Sequence, residues 1–360
     1  MDDDGARAFR FHGNWRDYAP IAFTNLLLTI VTLGFYRFWA TTRTRRYLWS
    51  QTQFIDDRLE WTGTGMELFI GFLLVLLLLG IPILFLQFGL QAMVFQGYAG
   101  AAFLLGFLAF AFIFYLGGVA RFRMLRYRLS RTWWHGIRGG ADDLGWGYGV
   151  SYMWRYVVSV IALYLPVPWA MIALWNERWA KMSFGPFAFE ANATTRGLYG
   201  RFLLFYLLPI VLLVALFAVG AAIGVAGYLP TDHPAEPASP VFVLFGVLTV
   251  LGLYGGLGIV ALAYYAKFFR VAIDGLSLST LDFHFNARTK DWFRLVLGDI
   301  ALVVLTLGVG VIFLSYRHWK FFVTNLDASG EIRLSELTQS TTRAPGQGEG
   351  LAAAFDIGAI

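Results

Sequence analysis

Hydrophobic positions run through this chain in long blocks that only a bilayer would bury. Residues 68–120 form 53 consecutive positions without a formal charge, and residues 202–231 and 237–266 form 30 each. About 20 apolar residues cross the hydrocarbon core as a helix. The first block therefore predicts two helices, split within residues 87–100, and the other two predict one each, giving four spans. Three shorter uncharged runs cover residues 18–36, 156–176 and 300–316. Each contains a turn signal: Thr32-Leu33-Gly34, Leu165-Pro166-Val167-Pro168, and Thr306-Leu307-Gly308-Val309-Gly310. One spanning helix would fit each run, but the turn signals favour tight hairpins of two helices that extend into the flanking amphipathic residues.

Between these runs the period changes. Phe9-Arg10-Phe11-His12-Gly13, Leu59-Glu60-Trp61-Thr62-Gly63, Phe187-Ala188-Phe189-Glu190-Ala191 and Phe283-His284-Phe285-Asn286-Ala287 alternate bulky apolar with mostly polar or small residues. Alternation at period 2 predicts a half-buried strand, and each of these segments precedes a helical one. A basic pair at i, i+3 closes each unit: Arg43/Arg46, Arg123/Arg126, Arg178/Lys181, Lys267/Arg270 and Arg317/Lys320. The first two match further, since Arg43, Arg46, Tyr47, Ser50 and Thr52 align with Arg123, Arg126, Tyr127, Ser130 and Thr132. The pattern predicts five units of strand, helix, turn, helix and basic pair, at about 8–52, 53–132, 133–183, 184–275 and 281–325. They would form one integral-membrane domain over residues 1–335, with a disordered tail over 336–360. The expected fold class is an all-α polytopic membrane protein built from repeated helical hairpins, with short cytoplasmic β-strands between them. The strands belong outside the hydrocarbon, where open backbone groups would go unsatisfied.

Charge sets the expected orientation. Only 14% of residues are charged, against about 25% in soluble domains. Lys and Arg favour the cytoplasmic ends of spans. Residues 87–100 carry no charge and residues 228–240 carry only Asp232, His233 and Glu236, whereas 121–138, 178–201 and 267–294 hold most basic side chains. Both termini and all five basic pairs are therefore expected on the cytoplasmic side. Arg37, three residues past Gly34, is the misfit, and either snorkels to the outer surface or faces a wet interior. The acidic start Met1-Asp2-Asp3-Asp4 lacks a basic region followed by an apolar core, so no cleavable signal is expected. With no cysteine, disulfides, thiolate metal sites and cysteine nucleophiles are excluded. The net charge of +5 is spread over membrane-flanking segments and does not point to nucleic acid.

The run Phe9-Arg10-Phe11-His12-Gly13, then Thr32-Leu33-Gly34-Phe35-Tyr36-Arg37-Phe38-Trp39-Ala40, then Arg43-Thr44-Arg45-Arg46-Tyr47-Leu48-Trp49-Ser50-Gln51-Thr52 closely resembles the YjgN-like family of bacterial multi-pass inner-membrane proteins. The resemblance extends over roughly residues 8–335 and is most specific in the first 60. It implies an inner-membrane location and supplies no activity, cofactor or catalytic residue.

Chemistry is sparse. The histidines His12, His135, His233, His284 and His318 form no metal-ligand pair at helical spacing, and no nucleophile elbow or phosphate loop occurs. No catalytic residue, metal or cofactor is expected, and the chain does not read as an enzyme. The sharper candidates are polar groups within apolar helices. Asp299 and Asn25 lie nine residues before Gly308 and Gly34, and Arg155 lies eleven before Pro166. Such residues usually pair or face a cavity. A structural Arg155–Asp299 or Asn25–Asp299 contact between hairpins is expected, and a polar path through Asp299, Arg155, Asn25 and Arg37 is the alternative. The basic pairs read as topology and lipid-headgroup anchors, or as a ring for anionic ligands. Transport or permeation of a small solute or ion is the first functional expectation, although five parallel units depart from paired transporter symmetry. The second is a non-transporting membrane organiser that binds anionic lipid or a partner through its basic cytoplasmic face. The bilayer, with anionic headgroups, is the expected partner, nucleic acid is not, and the oligomeric state is left open.

Overall fold

The computed structural model describes residues 7–227, 240–331 and 337–343. Two compact units emerge: Met1–Thr194, Ala272–Asn286 and Leu295–Ile360 make the first, and Thr195–Val271 with Ala287–Arg294 the second. Residues 228–239 of the expected connection over 228–240, and the expected tail beyond residue 343, lie outside the described residues.

The first unit is organised by β-structure. A three-stranded sheet pairs β1 (Phe9–Phe11), β2 (Thr52–Phe54) and β3 (Asp57–Arg58). A second, eight-stranded antiparallel sheet contains β4 (Glu60–Trp61), β5 (Thr132–Trp134), β6 (Ile137–Gly140), β7 (Ser183–Phe184), β8 (Phe187–Ala191), β9 (Leu276–Leu278), β10 (Leu281–Phe285) and β11 (Leu326–Ser329). Its strands lie side by side in sequence order. This overturns the expected all-α fold class. The four alternating segments are strands, but each is followed, after its helices, by a second strand that pairs back on the array. These second strands are two to four residues long, too short to show a period, and their partners are distant in sequence.

Connectivity explains the layout. Tight turns join β5 to β6, β7 to β8 and β9 to β10, through positive φ at His135 and Gly136, Gly185, and Ser279. The alternate connections carry helices. Because neighbours are antiparallel, the helix-bearing ends share one rim of the sheet and the tight turns share the other. Strand β10 shows the burial that the alternation demands: Leu281, Phe283 and Phe285 are buried, while Asp282 and His284 face outward. Trp134 is fully buried between the sheets, with its Nε1 donating to the Phe54 carbonyl at 3.0 Å.

Helices α1 (Trp15–Val31) and α2 (Arg37–Ser50) form the first short hairpin. Helix α3 (Gly65–Val75) runs through a π-turn at Leu76–Gly80 into α4 (Ile81–Phe95), and α5 (Ala99–Arg131) returns. Helices α6 (Trp146–Ile161) and α7 (Val167–Trp179) form the second short hairpin. In the second unit, α8 (Tyr199–Phe202) and α9 (Leu204–Gly227) precede α10 (Pro240–Asp274), where a Cβ on Gly256 would meet Leu208 at 2.7 Å, so the two helices touch closely there. The last hairpin is α11 (Thr289–Leu305), a 3-10 segment at Val309–Phe313, and α12 (Leu314–Asn325). The three hairpins turn through positive φ at Leu33 and Gly34, Leu163 and Tyr164, and Leu307 and Gly308.

By length and composition, three helices among the described residues can cross a membrane: Gly65–Phe95, Ala99–Arg131 and Gly246–Asp274. The fourth expected span falls on α9, where the described side chains form an apolar helix over Tyr199–Ala215 and most of those beyond lie outside the described residues.

Candidate functional site

Helix periodicity places the candidate site between the first and last hairpins. On α2, Arg37, Thr41, Thr44, Arg45 and Leu48 recur at three or four residue steps and share one face. On α1, Tyr18, Ala22, Asn25, Leu26 and Thr29 do the same. These faces, with Val311, Ile312, Ser315 and Trp319 from the last hairpin, line a cavity of about 280 Å³. Aromatic packing clamps its base: the Trp49 and Trp319 rings stack at 4.0 Å, and Tyr18 stacks on Tyr316 at 5.4 Å. The Tyr18 hydroxyl donates to the Ile312 carbonyl at 3.3 Å, and Trp319 Nε1 donates to Thr52 Oγ1 at 2.9 Å.

The lining is unusually polar for a helix layer rich in apolar surface. Four hydroxyl side chains besides Tyr18 (Thr29, Thr41, Thr44 and Ser315) face it, with two guanidinium groups. Arg45 is buried, 5.0 Å from the Trp61 ring centroid. Arg37 is exposed at the start of α2, with its charge 4.8 Å from the Phe38 ring and 4.9 Å from that of Phe72. Asn25 is only 7% exposed. Its Nδ2 donates to the Ala40 carbonyl and to Thr44 Oγ1, both at 3.3 Å, while its buried Oδ1 has no hydrogen-bond partner. A buried amide oxygen placed this way can accept from a small donor that enters the cavity. The site can therefore hold a compact anion that also presents a hydroxyl.

The structure separates the other expected site residues. Asp299 accepts from Arg317 Nε at 2.6 Å and lies 2.7 Å from His318 Nε2. Arg155 Nη1 donates to Glu177 Oε2 at 2.8 Å. Neither the Arg155–Asp299 nor the Asn25–Asp299 contact forms. Each polar residue instead bonds across its own hairpin, where a partner lies within about 22 residues and the turn has already closed the loop.

The basic pairs have divided roles. Arg43, Arg46 and Lys320 are exposed. Arg123 Nε donates to the Leu144 carbonyl at 3.0 Å, and the buried Arg126 donates through Nε to the Ala141 carbonyl at 2.7 Å. Arg178 Nε is buried without a hydrogen-bond partner, its charge 5.7 Å from the Trp175 ring. Lys181 pairs with Asp143 at 2.7 Å. Burial alone would raise the Asp143 carboxyl, but hydrogen bonds from Lys181 and the Gly145 N–H hold it below its ordinary range. Lys267 is half-buried in the second unit, where Arg270 Nε donates to the Ala266 carbonyl at 3.2 Å. Residues 337–343 pack on β6, where the Arg343 carbonyl accepts from Arg126 Nη2 at 3.3 Å.

Sequence reasoning missed Arg45 because the i, i+3 repeat points to its neighbours Arg43 and Arg46. The helical face shared with Arg37 and Thr41 was the available signal. It also missed Glu67, which accepts from the Tyr127 hydroxyl at 2.7 Å and pairs with Arg131 at 2.7 Å. The Thr64-x-x-Glu67 capping box announces that residue.

Over residues 6–354 the chain matches the family described as bacterial protein of unknown function (DUF898), and it belongs to that family. The chain is similar to the inner membrane protein YjgN of Escherichia coli (strain K12), 36% identical over 69 residues, which cover 19% of this chain and 17% of that protein. It is also similar to YjgN of Salmonella typhimurium (strain LT2), 26% identical over 160 residues, which cover 43% of this chain and 36% of that protein. These matches span only about a sixth to a third of the relatives' length. The resemblance drawn from residues 9–52 holds. No solved structure matches the chain.

Proposed function

We propose that this family member is a multi-pass protein of the bacterial inner membrane that binds an anionic phospholipid headgroup between its first and last hairpins. One observation carries the reading: Arg37, Arg45, four further hydroxyl side chains and the open Asn25 acceptor line a single cavity. A phosphate diester suits the two guanidinium groups, whose donors match phosphate oxygens. A headgroup hydroxyl suits Asn25 Oδ1. The exposed Arg43, Arg46 and Lys320 add attraction for the same surface, worth about 1 kcal/mol per basic residue near anionic lipid. In this reading the chain is not an enzyme, and its five strand-bounded helical units repeat one plan. The sheets and both termini lie in the cytoplasm, on the side that carries the basic pairs.

Passage of a small solute or ion along the same groove is the second reading, favoured by polar side chains lining both α1 and α2. Against it, Asp299 is taken up by Arg317 and His318 rather than lining that groove.

The test is lipid retention. Protein extracted from membranes and analysed intact by mass spectrometry should carry anionic phospholipid. Arg45→Gln, which removes the charge and leaves a shorter polar amide, should lower that occupancy about tenfold, the equivalent of one charge-assisted hydrogen bond of roughly 1.5 kcal/mol. Equal occupancy in wild type and Arg45→Gln would rule the site out. Altered solute flux with unchanged lipid would favour the second reading.

A further inference from the structure

The three short hairpins do not have the dimensions of spans. At about 1.5 Å per residue, the 13 residues of α7 and the 17 of α1 rise roughly 20 and 25 Å, less than the hydrocarbon thickness of about 30 Å. Charge shortens them further. Arg43 is exposed only six residues after α2 begins, about 9 Å from the turn. Asn25, Arg155 and Asp299 each stand six residues before their first helix ends, and each is bonded across its own hairpin. Beyond these polar cross-links the turns present bare apolar side chains. Leu33 is 90% exposed, Leu163 72% and Leu307 94%.

Contacts with the spanning helices report the depth independently. The first hairpin reaches α3 through Phe38, whose ring lies 5.3 Å from that of Phe72. Phe72 is five residues beyond Glu67, about 8 Å into the apolar stretch. In the second hairpin, Tyr156 packs on Phe114 at 4.3 Å. Phe114 is seven residues from Arg121, and Tyr156 is five short of its helix end, so the turn reaches about 18 Å past Arg121. The uncharged part of α5, residues 99–120, measures about 33 Å by the same rise. The tip stops near the middle.

The geometry points to three shallow wedges: each short hairpin enters the bilayer from the side of the sheets and turns back within the same leaflet. The occupant around the tips is lipid acyl chain, because α3, α4 and α5 leave the same rim and are long and apolar enough to cross. The charge nearest a tip, Arg37, lines the groove and lies against the Phe38 and Phe72 rings. This inference goes beyond headgroup binding and does not depend on it. One-sided insertion of three apolar tips would expand one leaflet relative to the other.

The chain has no native cysteine, so single substitutions can be read directly. Leu33→Cys, Leu163→Cys and Leu307→Cys would be compared with Gln96→Cys, in the exposed turn between α4 and α5. All four side chains are exposed, so none of the changes disturbs packing. In sealed vesicles of known orientation, an impermeant maleimide should label Gln96→Cys from the face opposite the sheets and label the three tip positions from neither face. A fluorophore attached in detergent at each tip should then be quenched by lipids spin-labelled along the acyl chain, and not by aqueous iodide. Labelling of any tip from the Gln96 side would overturn the inference, because that hairpin would then span. Labelling from the sheet side, or iodide quenching, would overturn it as well, because the tip would not be in lipid.

Discussion

Asp299→Ala is expected to lower thermal stability in detergent by about 3 kcal/mol, toward the low end of the range for breaking a buried ion pair. The carboxylate is mostly buried and serves Arg317 and His318 together. Truncation leaves a guanidinium facing a helix without its acceptor, and the loss of the pair is aggravated by that residual charge. Arg317 is a third exposed, so it can turn partly toward water, which keeps the cost below the upper limit. Asp299→Asn retains an acceptor oxygen at the same position and should cost less. Melting curves of the purified variants check the value and the order of the two. If Asp299→Asn left stability unchanged and altered solute flux in vesicles, the residue would belong to a path and not to a cross-link.

Trp134→Ala should cost about as much or more, in the range of roughly 3–5 kcal/mol for a large buried aromatic. The indole is fully buried, packs on Phe54 with ring centroids 4.9 Å apart, and donates to the Phe54 carbonyl. Its removal opens a void between the two sheets and orphans a backbone acceptor. Phe95→Ala is the matched control: it deletes a comparable aromatic from a position that is 90% exposed and should leave the melting temperature nearly unchanged. Equal effects for the two variants would show that the sheets do not form the stabilising core of the first unit.

The fold was legible where a period is long enough to repeat. Long uncharged runs marked α3 to α5, and the glycine and proline signals marked the three hairpin turns, down to positive φ at Leu33 and Gly34. Alternation marked β1, β4, β8 and β10. The returning strands were not legible, because Ser183–Phe184 offers two residues and no period. Their pairing depends on the antiparallel array, which no local window contains. The site was half legible. Asn25 and Arg37 stand out as polar residues in an apolar context, and both line the groove. Arg45 is masked by basic neighbours, and the partners of Asp299 and Arg155 could not be chosen from spacing alone. Arg155 with Asp299 has the right charges, but Glu177 and the Arg317–His318 pair are already held across the turn.

Headgroup binding is tested most directly by a map of the protein in nanodiscs containing anionic phospholipid. Phospholipid density is expected with its phosphate between Arg37 and Arg45 and its headgroup hydroxyl toward Asn25. A groove empty of lipid, with anionic phospholipid ordered only elsewhere on the surface, would contradict it.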